Sequence, residues 1–196
     1  MNQLIEITPT VVPLVITEDE FLTRLYTKGG DLGLLPIVVK GNVHIDASRI
    51  KLRTLAGEIG NPSSKTWVIQ NVTFTGQVVV QSMRCTSLNF YRCRFRGDVY
   101  FEQSNAKKAR LRFWCCVFRT VLKFWECELE GIEMQRCVVH KYIYFTGLDI
   151  AEGGSVYIYE VKRRGILFGK NIDNRVFLSA QWDPKARPNV QTEFVL

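Results

Sequence analysis

The strongest constraint on how this chain can fold is an internal repeat of 21 to 23 residues. Cys93, Cys116 and Cys137 mark three successive copies, which are 23 and 21 residues apart. Three further sets of equivalent residues, here called columns, have the same spacing. A fourth copy lies 21 residues before the copy that contains Cys93. All sixteen aligned residues are apolar in a chain that is 46% apolar: Val72, Phe74, Val78, Val80; Cys93, Phe95, Val99, Phe101; Cys116, Phe118, Leu122, Phe124; Cys137, Val139, Ile143, Phe145.

Within each copy, the apolar residues form pairs two positions apart. Residues i and i+2 lie on one side of an extended strand, whereas a helix requires spacings of three and four. Four short strands in each copy predict one coil of a parallel β-solenoid, in which equivalent side chains stack into interior ladders. The further inward columns are Met83, Ala106, Cys127, Leu148; Leu88, Leu111, Ile132, Val156; Phe90, Phe113, Met134, Ile158; and Cys85, Lys108, Leu129, Ile150, which is broken at Lys108.

This pattern resembles the pentapeptide-repeat family, whose right-handed quadrilateral β-helix has an inward Leu or Phe and a small inward residue two positions before it. The inward centre corresponds here to Phe74, Val80, Cys85, Phe90, Phe95, Phe101, Phe113, Phe118, Phe124, Leu129, Met134, Val139 and Phe145. The small position corresponds to Val72, Cys93, Ala106, Cys116, Cys127 and Cys137, among others.

The resemblance covers residues 37–178 and implies an all-β fold, a single-stranded right-handed parallel β-helix. Two departures stand out. Many intervals between neighbouring inward centres are six residues instead of five. Large residues also occupy several of the small positions: Leu88, Leu111, Leu122, Ile132, Ile143. A generic β-helix is therefore the alternative. Such an architecture supports many functions and therefore says little about this one.

Both ends of the solenoid need caps. We expect residues 1–36 to form an N-terminal cap, with a short helix over residues 17–27 that starts at the capping box of Thr17 and Glu20. Residues 54–66 read as a loop leaving the first coil. Residues 179–196 are expected to dock on the last coil or on a second copy of the chain, which would give a homodimer.

Composition excludes several classes of protein. A chain of 196 residues suits one domain with a substantial core. No run approaches the ~18 apolar residues of a membrane span, so we expect no membrane partner. The N-terminus lacks the basic and apolar regions of a secretory signal. The cysteines fall mostly at inward positions, which favours reduced thiols and a cytoplasmic location.

The formal charge of +7 is distributed unevenly. Residues 81–125 carry ten basic and two acidic residues, a net +8, whereas residues 126–161 carry two basic and seven acidic residues, a net −5. Such banding indicates either a molecule with two different faces or a solvated surface with no binding role.

Signals for catalysis are poor. The two histidines, His44 and His140, lie far apart and no CxxC pair occurs, so neither a metal site nor a cofactor site is expected. The only acidic cluster is Glu126, Glu128, Glu130 and Glu133. It leaves a polysaccharide-acting β-helix enzyme as a third hypothesis, although alternating charges are more simply a solvated strand face. We expect a protein that is not an enzyme.

Cys115 is expected to point outward and to be the one reactive thiol.

The outward positions are more informative, because exposed aromatic residues mixed with arginine are typical of interfaces. The candidate partner-binding residues are Tyr91, Arg92, Arg94, Arg96, Arg112, Trp114, Arg119, Tyr100, Lys123, Trp125 and Tyr144. The alternative is that loops or the C-terminal tail cover them.

Two functional hypotheses follow. The first is a protein–protein interaction module or inhibitor, such as a phage or mobile-element antagonist of a host complex. The second is a nucleic-acid-binding protein that places arginines on phosphates and stacks Tyr91 or Trp114 on bases. We favour protein binding, because the aromatic residues occupy two sides of the solenoid and the acidic block would repel phosphate.

Overall fold

A computed structural model shows a parallel β-solenoid of about five turns with one short helix. It describes residues 12–28, 32, 35–49, 66–83, 86–168 and 176–178. The elements are β1 (Leu14–Ile16), α1 (Glu18–Lys28), β2 (Ile37–Val39), β3 (Val43–Asp46), a 3-10 turn (Ala47–Arg49), β4 (Thr66–Gln70), β5 (Val72–Phe74), β6 (Val78–Gln81), β7 (Ser87–Tyr91), β8 (Arg94–Phe95), β9 (Val99–Glu102), β10 (Asn105–Trp114), β11 (Val117–Phe118), β12 (Leu122–Trp125), β13 (Glu128–Gln135), β14 (Val138–Thr146), β15 (Asp149–Tyr159), β16 (Lys162–Phe168) and β17 (Val176–Leu178).

Every strand pairing in this part of the chain is parallel, as the repeat predicts. One sheet has six strands in the order β17-β15-β13-β10-β7-β4. The other has eleven strands, ordered β1-β2-β5-β8-β11-β14-β12-β9-β6-β3, with β16 paired to β14. A coil therefore runs through β8, β9 and β10, and each strand pairs with its counterpart in the next coil. The coil itself is the crossover that parallel pairing requires.

Stacked phenylalanines fill the interior, which confirms the predicted inward positions. The ring centroids of Phe95 and Phe118 lie 4.7 Å apart with planes 7° from parallel, and those of Phe74 and Phe95 lie 5.2 Å apart. A second ladder joins Phe101 to Phe124 at 5.3 Å. All of these rings are fully buried. Equivalent positions in successive coils thus pack like against like.

From Asn71 onward, two corners of successive coils turn at residues in the left-handed backbone region. Their φ values lie between 45° and 56°, although side chains other than glycine rarely adopt this conformation. The backbone N–H of Arg92 donates to the carbonyl of Trp114 at 2.8 Å, one coil further on. These bonds offset the conformational cost of the corners, which form two columns: Asn71, Arg92, Cys115, Arg136, Glu160; and Ser82, Gln103, Glu126.

One pair of predicted columns was wrong. Ala106 pairs with Leu129 and not with Cys127, and the buried Ser104 takes the expected place of Ala106 beside Met83. The two extra residues of this coil form a bulge after Ala106. Lys108 lies in this bulge and is exposed, so its charge does not enter the core and does not interrupt an inward column. The apolar pattern does not predict Ser104 as inward, because its side chain is polar. Its hydroxyl donates to the Glu102 carbonyl at 3.1 Å.

The predicted N-terminal helix is present and covers the open end of the first coil. Thr17 caps it, because the N–H of Glu20 donates to the Thr17 hydroxyl at 3.3 Å. Phe21 and Leu25 are fully buried, and the Phe21 ring packs edge-on against Phe74 at 5.3 Å. The preceding strand β1, which the sequence did not predict, pairs with β2.

Some predicted features lie outside the described residues. These are the loop at 54–66 apart from Thr66, which begins β4, the inward position of Cys85, and the tail at 179–196. Within the described ranges, no helix combines the length and hydropathy that a membrane crossing requires.

We expect Phe118→Ala to lower the free energy of unfolding by about 3–5 kcal/mol, because it opens a cavity in the middle of a ring ladder. Val117→Ala, at the neighbouring outward position, is the control and should cost less than ~1 kcal/mol. Equilibrium denaturant unfolding measures both. Equal stability of Phe118→Ala and the wild type would contradict the inward ladder.

Candidate binding surfaces

The structure distributes the eleven predicted binding residues over three outer faces. The long face is the outer side of β4, β7, β10, β13 and β15, and it carries Tyr91, Arg112 and Trp114. The basic face is the outer side of β5, β8, β11 and the start of β14 with its two flanking corners, and it carries Arg92, Arg94, Arg96 and Arg119. The mixed face is the outer side of β3, β6, β9, β12 and the end of β14, and it carries Tyr100, Lys123, Trp125 and Tyr144.

Aromatic side chains dominate the long face. The register places Tyr91, Trp114, Gln135 and Tyr159 in one row along the solenoid axis. The rings of Tyr91 and Trp114 meet edge-on with centroids 6.3 Å apart, and 41% of Trp114 is exposed. Tyr157, which is 49% exposed, lies beside this row. A soluble surface does not need such a strip of exposed rings.

Sequence reasoning missed Tyr157 and Tyr159. The signal was available, because Val156 and Ile158 were recognised as inward and their neighbours must then point outward. The interval to the preceding coil rises to 24 residues there, since β15 accommodates a bulge between Ile150 and Ser155. The outward row was therefore not extended beyond Gln135.

Ion pairs between coils engage Lys107, Arg110 and Arg112 on the long face and its bulge, whereas the exposed Lys108 forms none among the described residues. Arg110 contacts Glu130 at 2.6 Å, and Arg112 contacts Glu133 at 3.1 Å. On the long face, the basic and acidic blocks of the sequence are thus successive coils that pair with each other.

Lys107 contacts Glu128 at 2.8 Å in a third ion pair between these coils. Its hydrogen bond to the Glu128 carboxylate raises the pKa of Lys107 above its usual value. Exposed ion pairs of this kind contribute little to the free energy of unfolding, so they affect the surface charge more than the stability.

The basic face has the opposite character. Among the described residues, no carboxylate forms an ion pair with Arg92, Arg94, Arg96 or Arg119. Arg92 instead lies over the Tyr91 ring, with its guanidinium carbon 5.0 Å from the centroid. Arg119 contacts the ring nitrogen Nε2 of His140 at 3.3 Å. These arginines are therefore available to anionic groups from outside.

The candidate side chains of the mixed face contact neighbouring side chains of the protein. The Lys123 ammonium lies 5.0 Å from the centroid of the Trp125 ring. The Tyr100 hydroxyl donates to Asp98 at 3.3 Å, and burial raises the pKa of Tyr100. The rings of Tyr144 and Tyr142 lie 6.0 Å apart. This face holds three candidate aromatic residues, but its candidate cation, Lys123, already contacts Trp125.

The inward cysteines have a structural role. Each donates its thiol to a carbonyl of the preceding coil, as Cys116 does to Phe90 at 3.3 Å and Cys93 does to Ile69 at 3.2 Å. Burial raises the pKa of Cys127 to about 11 and also raises that of Cys116. A raised pKa leaves these thiols protonated and unreactive at neutral pH. All five described cysteines are free, and only Cys115, at a corner, is exposed.

The acidic cluster proposed for a polysaccharide-acting enzyme is largely consumed by ion pairs. Three of its four carboxylates bind the cations of the preceding coil, and Glu126 occupies a corner. Within the described ranges, no group of three or more His, Cys, Asp or Glu side chains is arranged to hold a metal ion.

Comparison of this chain with protein-family models, with characterised proteins and with solved structures found no match. The resemblance to pentapeptide-repeat proteins therefore stands at the level of architecture, and the surfaces themselves carry the functional argument.

We expect alkylation of the native protein to modify Cys115 quickly and the buried Cys93, Cys116, Cys127 and Cys137 only after unfolding. Mass spectrometry of peptides after a timed iodoacetamide pulse measures this. Cys115→Ser is the control and should remove the fast phase. Fast labelling of Cys93, Cys116 or Cys137 would show that the thiol ladder is not buried.

Proposed function

We propose that this protein is a non-catalytic binding protein that engages another protein through its long face. The observation that carries this proposal is the strip of exposed aromatic rings, in which Trp114 lies between Tyr91 and Gln135, with Tyr157 and Tyr159 further along the axis. Tryptophan and tyrosine are the residues most enriched at the energetic centres of protein interfaces.

The charges around the strip favour a protein over a nucleic acid. Arg110 and Arg112 already have carboxylate partners, so the long face offers little net attraction to phosphate. The matched ion pairs instead supply a polar rim around an aromatic centre, which is the usual composition of a protein interface. The parallel sheet beneath fixes the strip on a rigid support, which reduces the entropy lost on binding.

A role as an inhibitor of a larger complex fits a small solenoid with rigid faces and no recognised catalytic set. The free thiols of the core fit a reducing compartment, so we place the protein in the cytoplasm. Both statements belong to the proposal.

Nucleic-acid binding is the second candidate function, and one observation favours it. Arg92 forms no ion pair with a carboxylate among the described residues and lies over the ring of Tyr91, which could stack on bases together with Trp114. Such binding should weaken log-linearly with salt, by ~0.9 per phosphate contact on duplex DNA, whereas an interface with aromatic anchors should respond more gently.

We expect Trp114→Ala to weaken binding of a protein partner at least ~30-fold, since a central tryptophan contributes about 2 kcal/mol or more. The melting temperature should hardly change, because the side chain points away from the core. Immobilised protein would capture partners from a cytosolic lysate treated with nuclease, and titration with the captured partner would give the affinity.

Trp125→Ala is the matched control, because Trp125 is similarly exposed at 39% but lies on the mixed face. A nuclease-resistant protein that depends on Trp114 and not on Trp125 supports the proposal. Dependence on Trp125 alone would move the interface to Tyr100, Lys123, Trp125 and Tyr144. Loss of all captured material on nuclease treatment would favour the second candidate.

A further inference from the structure

We propose that the basic face binds an extended acidic segment of the protein partner, with carboxylates at alternate positions. This inference rests on the proposed function and deepens it, because it assigns a chemistry to the region of the partner that lies beside the aromatic strip.

The contrast between two neighbouring faces supports the assignment. Lys107, Arg110 and Arg112 each contact a glutamate of the next coil, so the fold neutralises the long face internally. On the basic face, Arg94 and Arg96 have no such partner among the described residues. Arg136, at one of its corners, is the exception, with Glu160 at 2.9 Å. The positive charge of the central coils is thus left uncompensated mainly on one face.

The register sets the spacing of these charges. Arg94 lies in β8 and Arg96 is two residues further on, at the bend that follows this strand, so their positions are at most about 6.6 Å apart. Arg119 occupies the equivalent place to Arg96 one coil on, at about 4.8 Å. A bound peptide in the extended conformation repeats its side chains on one side at the same interval of about 6.6 Å. Its alternate carboxylates would therefore meet successive arginines, whose forked guanidinium groups suit carboxylate oxygens.

The middle of the basic face favours a peptide over a nucleic acid. The outward row that contains Arg94 continues with Val117 and Val138, both half-buried, and reaches the next cation only at Lys162, three coils on. A phosphate backbone needs a continuous track of positive charge. A protein segment can set apolar side chains on the valines and carboxylates on the surrounding arginines, which gives an apolar centre with a charged rim.

The corner column joins the two surfaces. Arg92 lies over the ring of Tyr91, and Tyr91 contacts Trp114 on the long face. A single partner can therefore rest on the aromatic strip and extend an acidic segment around this corner onto Arg94 and Arg96.

The test uses the full chain and a fluorescent peptide with glutamate at alternating positions and serine between them. Fluorescence anisotropy measures the binding. We expect binding that Arg94→Gln/Arg96→Gln/Arg119→Gln weakens about tenfold, since three exposed ion pairs are lost. The control is Lys107→Gln/Lys108→Gln/Arg110→Gln, which removes the same formal charge at the bulge of the long face and should change the affinity less than twofold. Melting temperatures verify that both triple variants are folded.

Several outcomes would overturn the inference. They are the absence of peptide binding, an equal loss in both triple variants, and tighter binding of a single-stranded oligothymidine that the arginine variant abolishes. Self-association that the arginine variant dissolves would assign the face to a second copy of the chain and would also overturn it.

The same variants separate this inference from the proposed function. Capture of a protein that requires Trp114 but is unaffected by the arginine variant would support the proposed function and overturn the acidic segment. Peptide binding that requires the arginines, without any captured protein that depends on Trp114, would overturn the proposed function while the acidic specificity of the face is supported.

Discussion

The architecture depends on corners that recur at equivalent places in successive coils. Each turn uses a residue with positive φ, a conformation that costs roughly 1–2 kcal/mol for residues other than glycine. The cost is offset because the corner N–H bonds to the next coil, as Cys115 does to Gln135 at 2.9 Å. Residues as different as Asn71, Arg92 and Glu160 serve here, since the neighbouring coil and not the side chain holds the backbone in place.

Aligned corners force equivalent residues into ladders, and the ladders explain the composition of the core. Phenylalanine stacks on phenylalanine with centroids 4.7 to 5.3 Å apart, close to the spacing of paired strands. Just after a corner, the interior is narrow and a carbonyl of the preceding coil faces inward. Cysteine fits that position because it is small and its thiol donates to this carbonyl, as Cys137 does to Phe113 at 3.3 Å.

Stacking also decides how the outer surface is charged. Because adjacent coils are separated by the spacing of paired strands, a lysine or arginine in one coil lies beside the residue at the equivalent position in the next coil. On the long face, Arg112 meets Glu133, whereas Arg94 on the basic face meets Val117. One face thus becomes electrically balanced with aromatic residues at its centre, and the adjacent one remains positive. The proposed roles of the two faces follow from this difference.

Strand periodicity and the repeat interval are local properties of the chain, so they suffice to predict the solenoid, most of the inward residues and the capping helix. The sequence also placed Trp114 and Cys115 on the outside. It could not locate the bulge near Lys108, since two inserted residues fit the repeat equally well at several points and only packing selects one. Only the tertiary structure showed which cations are paired, because the contact between Arg110 and Glu130 depends on the register of two coils, which no single strand contains.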